Sequence, residues 1–97
     1  MYVRVARFEG SDPTAIDQTI AGVKEQLGQA PPPGLEGATR VLMLVDRENG
    51  RNLSLVFFGS EEELRRGDEA LSAMSPEGAI RRTSVELYEV GLDERTS

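Results

Sequence analysis

Val41-Leu42-Met43-Leu44-Val45-Asp46-Arg47-Glu48-Asn49-Gly50-Arg51-Asn52-Leu53-Ser54-Leu55-Val56-Phe57-Phe58 sets two apolar runs on either side of a polar turn. A strand with one wet face alternates apolar and polar residues with a period of two, and neither run does so. Ala38 to Val45 and Asn52 to Phe58 therefore read as strands that need cover on both faces. Asn49-Gly50 suits the positive φ of a tight hairpin turn. Such a turn would set Leu44 opposite Leu55 and Leu42 opposite Phe57.

Upstream of this hairpin, Tyr2 to Glu9 is rich in β-branched and aromatic residues and reads as a strand. Asp12 can cap a helix whose first position is Pro13, where the missing N–H costs nothing. Ile16, Ile20, Val23 and Leu27 then recur on one helical face, and Gly28 ends the helix. Pro31-Pro32-Pro33-Gly34 makes the segment from Gln29 to Gly37 a stiff connector. Downstream, Ser60-Glu61-Glu62-Glu63 is a capping box whose acids suit the positive end of the helix dipole. Leu64, Leu71 and Met74, with Ala70 and Ala73, form the buried stripe of this second helix. Gly67 in its middle is expected to weaken it by up to ~1 kcal/mol. Ser75-Pro76-Glu77-Gly78 closes the helix, and Arg82 to Val90 is the fourth strand. Residues 1–91 make one domain, and 92–97 read as a frayed tail.

The element order is β-α-β-β-α-β. Two right-handed crossovers around a central hairpin predict a ferredoxin-like α+β fold, a four-stranded antiparallel sheet with both helices on one face. The first and third strands are then central. Two helices cover only one face, yet the inner hairpin is apolar on both. A second copy of the chain meeting the open face would bury the other, as a dimeric α+β barrel. The rival is a monomer that keeps this face for a different partner. Charge spacing suggests a register for the outer pair, with Arg4 opposite Glu89 and Arg7 opposite Glu86. That register would also set Val5 against Tyr88 and Ala6 against Leu87.

Ninety-seven residues bury a thin core, which strengthens the case for a homodimer. Cysteine, histidine and tryptophan are absent, which excludes Cys/His zinc sites, histidine-based nucleophile systems and His-ligated haem. A net charge of −6, with eleven scattered basic residues, argues against nucleic acid and anionic membranes as partners. The chain shows no signal-like or membrane-spanning apolar run, so a cytoplasmic location is the expectation.

Val3-Arg4-Val5-Ala6-Arg7-Phe8, Leu44-Val45-Asp46-Arg47-Glu48-Asn49-Gly50-Arg51, Phe57-Phe58-Gly59-Ser60-Glu61-Glu62 and Val85-Glu86-Leu87-Tyr88-Glu89-Val90 resemble the antibiotic-biosynthesis-monooxygenase-like (ABM-like) group. The resemblance spans nearly the whole chain. It implies a dimeric α+β barrel, and in some members oxygenation of electron-rich aromatics without metal or flavin. Where relatives carry Trp-Glu-Ser-Glu-Glu, this chain has Phe58-Gly59-Ser60-Glu61-Glu62, so Phe58 offers ring packing but no N–H donor. The histidine of haem-degrading relatives is missing, and no cofactor is expected.

The candidate pocket lies between sheet and helices, walled by Val56, Phe58, Leu64 and Leu71. Tyr88 is the candidate for proton handling, since a phenol can donate to a substrate oxygen and relay a proton. Arg4 and Arg7 point to opposite faces, so one of them could hold an anionic or enolate oxygen in the pocket. Each could instead simply pair with a glutamate of the fourth strand. Arg40 shares a face with Leu42 and Leu44, either capping the pocket or reaching the dimer rim. Asn52 is a polar amide that could touch substrate or belong to the turn. The acids Glu61 to Glu63 read as capping residues rather than a metal site, and the proline triplet as a connector rather than a peptide ligand. Two functions follow. One is a cofactor-independent monooxygenase acting on a small aromatic or quinol-like molecule. The other is a non-catalytic dimeric module for small-ligand binding or assembly.

Overall fold

A computed structural model describes residues 1–10, 12–74 and 80–96. Its elements run β1 (Tyr2–Glu9), α1 (Pro13–Leu27), β2 (Ala38–Asp46), β3 (Arg51–Phe58), α2 (Glu61–Ser72) and β4 (Arg81–Glu89). The antiparallel sheet has the order β2-β3-β1-β4, so β1 and β3 are central. This is the ferredoxin-like arrangement that the order of apolar runs predicts. The segment expected to close α2, Ser75 to Gly78, lies outside the described residues.

Both helices begin as their cap residues dictate. Asp12, in extended backbone, accepts a 2.7 Å hydrogen bond from the Ala15 N–H, and Pro13 opens the first turn. Ser60 Oγ accepts from the Glu63 N–H at 3.2 Å. The end of α2 is closed by a residue from another element. Arg82 on β4 donates to the carbonyl oxygens of Leu71, Ser72 and Met74, at the end where helix carbonyls run out of partners within the helix. A cation is also favoured at that negative end of the dipole.

Two registers differ from expectation. In the hairpin, Leu44 faces Leu53 and Leu42 faces Leu55, so four residues from 47 to 50 connect the strands. A two-residue turn of the expected kind needs positive φ at both centres. Here Gly50 has φ 63°, while no described residue other than glycine has positive φ. The Asp46 carboxylate builds the longer loop instead. It accepts from the Asn49 N–H at 3.2 Å and from Asn49 Nδ2 at 2.8 Å, and pairs with Arg51 Nε at 3.0 Å. In the outer pair, Arg4 faces Leu87 and Arg7 faces Ser84, with Val3 opposite Tyr88 and Ala6 opposite Val85. The Arg4–Glu89 and Arg7–Glu86 pairs do not form. Arg4 points toward the helices, and its counter-charge is Asp68 on α2.

Cross-strand partners share a face, which sorts the sheet into two surfaces. Toward the helices lie Tyr2, Arg4, Ala6 and Phe8 of β1, with Asn52, Ser54, Val56 and Phe58 of β3. The helix-side core joins Val56, Phe58 and Leu64, with Tyr2, Leu35, Ala38, Val41 and Leu71 packed around them. The opposite surface carries Phe57, Val3, Leu42, Leu55, Val5, Leu44 and Leu53; Val3 and Phe57 at its one end are buried, while Leu44 is exposed and Leu42, Val5, Leu53 and Leu55 are half-buried. The expected two-sided apolar character of the hairpin is therefore real in space.

The helix stripes are shorter than the sequence suggests. Ile16 is buried, Ile20 and Val23 are half-buried, and Leu27 is exposed. On α2 the buried residues are Leu64 and Gly67, while Met74 lies exposed beyond the last turn. Gly67 is no weak point. A Cβ there would overlap the Phe58 ring, so the missing side chain is what lets that ring reach the helix backbone. Among the described residues, no helix is long and apolar enough to cross a membrane.

Candidate functional site

The space expected to be a pocket under α2 holds the core of the domain: Val56, Phe58 and Leu64 are buried together, with Leu71 packed against them. The reason is proximity: α2 approaches β1, β2 and β3 closely, whereas α1 stands further from the sheet. The void therefore opens on the other side, beneath α1.

That cavity has a volume of about 750 Å³, within the range of small-molecule sites. Phe8, Asn52 and Ser54 from the central strands and Met43 from β2 supply its floor, and Ala15, Thr19, Gly22 and Val23 of α1 its roof. Gln18 and Gln26 lie on the roof, and Ile80 on the side. Strand alternation explains the floor, because Asn52 and Ser54 are two apart and share the helix-facing side with Phe8.

Asn52 is the distinctive group. It is only 8% exposed, and its carboxamide makes no hydrogen bond among the described residues. A buried amide without a partner costs about 1–3 kcal/mol, so structural convenience does not explain its position. The adjacent turn is built by Asp46 and Asn49, not by the Asn52 side chain.

The other candidates are dispersed. Arg4 is buried, its Nε donating to Asp68 at 2.9 Å and its Nη2 to Ser72 Oγ at 3.3 Å. That occupies it as a structural cation. Arg7 emerges on the open sheet face, where with Asn52, Leu53, Leu44 and Arg51 it borders a small cleft of about 240 Å³. Arg40 lies over the Phe57 ring at 5.4 Å, also on the open face. This cation–π stack shields the ring without approaching the α1 cavity.

Tyr88 shares the open face with Val3 and Phe57, and its hydroxyl donates to the Glu86 carboxylate. That hydrogen bond first, then the negative charge of Glu86, raise its pKa above the ordinary value of 10.0. The phenol is thereby held protonated and is a poor base near neutrality. Tyr88 also borders a groove of about 510 Å³ along β4 and α2, with Leu64, Tyr2 and Asp68. Asp68 and Glu61 of that groove are already paired with Arg4 and Arg65.

Of the sequence candidates, only Asn52 lines the α1 cavity. Its companions Phe8, Met43 and Ser54 were readable as helix-facing strand residues, but their neighbours on α1 carry no chemical signature. Among the described residues, no three acidic side chains converge as metal ligands do. Comparison of the chain with known protein families and with curated proteins finds no match.

Proposed function

We propose that the chain is a small-molecule-binding module that holds a compact organic ligand between α1 and the sheet. The observation that carries this reading is Asn52, buried on the cavity floor with an unpartnered carboxamide. Polar groups of this kind, set in a mainly apolar concavity, orient ligands in small-molecule sites. A screen of ring-containing fragments by methyl NMR tests it. Binding should move the Val23, Met43 and Ile80 resonances together and leave Leu64 and Leu71 still. Fragments that shift only the core or the outer surface would remove the proposal.

The same reading has the module working as a homodimer through its open face. Three cross-strand rows support this: Arg40-Phe57-Val3-Tyr88, Leu42-Leu55-Val5-Glu86 and Leu44-Leu53-Arg7-Ser84. Around their apolar centre lie Arg40 on β2, Arg7 on β1 and Glu86 on β4, so a twofold-related copy can match both character and charge. Light scattering should find twice the chain mass, and Leu55→Asp should halve it. A parent chain that scatters as a monomer at high micromolar concentration would count against self-association.

Oxygenation of an electron-rich aromatic, which the ABM-like resemblance implies, is a second reading of the same cavity. The apolar space beside Phe8 and Met43 supports it, being wide enough for a ring. Dioxygen uptake by the purified protein with a panel of hydroquinones distinguishes it from binding alone.

A further inference from the structure

We infer that the ligand of the α1 cavity is an uncharged ring compound with an amide-type edge, an N–H donor beside a carbonyl acceptor, read by Asn52. This rests on the binding reading above and narrows it to a chemical class.

The first argument is charge. Phe8, Met43, Val23 and Ile80 are apolar, and Asn52, Ser54, Thr19, Gln18 and Gln26 are neutral. Among the described residues, the single ionic lining residue is Asp12, exposed, with one carboxylate oxygen accepting from the Ala15 N–H at 2.7 Å, and no cation borders the cavity. A carboxylate or phosphate placed there would lose its hydration without gaining a counter-charge, which is strongly unfavourable. An ammonium group at the floor would meet only neutral dipoles.

The second argument is the complement of a carboxamide. Asn52 offers two N–H donors and one carbonyl acceptor, and both kinds are unpartnered among the described residues. A ketone satisfies the donor alone. A carboxylate satisfies the donor but faces the carbonyl with another negative oxygen. A lone hydroxyl serves one group or the other at bonding geometry. A lactam or primary amide satisfies both at once through two side-by-side hydrogen bonds, the geometry by which asparagine also reads the edge of adenine. Ser54 lies one repeat along the same strand face, about 7 Å away. It can take a second polar substituent across the ring, while Phe8 and Met43 pack against the ring face.

The test uses the full chain and three matched probes: 2-quinolone, N-methyl-2-quinolone and quinoline-2-carboxylate. NMR titration reads affinity from the Val23, Met43 and Ile80 signals and engagement from the Asn52 side-chain amide. The lactam should bind about tenfold tighter than either analogue, the size expected for one well-made hydrogen bond. Asn52→Leu should erase that preference yet melt no lower than the parent, because it removes an unpaired polar group while keeping the volume. A merely structural asparagine would instead lower the melting temperature on substitution. If the N-methyl compound or the carboxylate binds as tightly as the lactam, the amide-edge inference falls while the binding reading stands. If none of the probes moves the cavity signals, both fall. A variant that melts lower and keeps the lactam preference also overturns the inference.

Discussion

Arg4 Nε on the central strand donates to Asp68 Oδ1 on α2 at 2.9 Å, with the arginine side chain 4% exposed and the aspartate 30%. The pair ties the second helix to the middle of the sheet, and Ser72 Oγ adds a contact to both partners. A guanidinium buried to this degree depends on its counter-charge. Asp68→Ala should therefore cost about 2–4 kcal/mol, somewhat less than for a fully dry pair because Asp68 is partly wet. Arg4→Met, which removes the buried charge itself, should cost less than Asp68→Ala. Urea unfolding of the two variants and their double mutant measures the order, and the reverse order would contradict this account.

Gly67 and Phe58 form a second fitted contact. Gly67→Ala should destabilise by about 1–3 kcal/mol through overpacking, although alanine is the better helix former. Pairing it with Phe58→Leu should recover part of the loss, since the smaller side chain vacates the space. Additive losses in the double mutant would show that the two residues are uncoupled.

Gly22 on α1 faces the opposite situation. No atom lies within 4 Å of a Cβ built there, beyond its own surroundings in the helix. Gly22→Ala should stabilise the chain by about 0.5–1 kcal/mol from helix propensity alone. Thermal melts check this, and a lower melting temperature would mean that α1 sits closer to the sheet than described.

The hairpin loop carries a pH dependence. Hydrogen bonds from the Asn49 side chain, then from Arg51, then from the Asn49 backbone hold the Asp46 pKa below its ordinary value of 3.8. A carboxylate with a depressed folded pKa contributes stability that is present above the unfolded value, about 3.9, and lost as pH falls through the folded one. The Asn49 amide should keep its shift and protection through mildly acidic solution and lose both only below that unfolded value. Asp46→Asn should flatten the dependence. An Asn49 amide that titrates at the ordinary carboxylate value would refute the loop's electrostatic origin.

The element order, the helix caps at Asp12 and Ser60, and the two-faced hairpin were legible in the sequence. Each is a local property, written in periodicity or in residues that bond within one turn. Neither register is written locally, because Asp46 gathers Asn49 and Arg51 into a longer loop, and because Arg4 answers to a helix residue sixty-four positions away. Asn52 was visible as a polar residue on an apolar strand, but nothing in its neighbours distinguishes a turn amide from a cavity floor.

Which segments are strands and helices, how they alternate, and the surplus of apolar residues on the inner hairpin all follow from local periodicity. That α2 packs tightly while α1 stands off, and so on which side of the core an opening lies, emerges only once the elements meet in space. Packing distance depends on the side chains that meet between elements, above all a glycine against an aromatic ring. That meeting joins residues far apart in the chain, and no periodicity along it records their encounter.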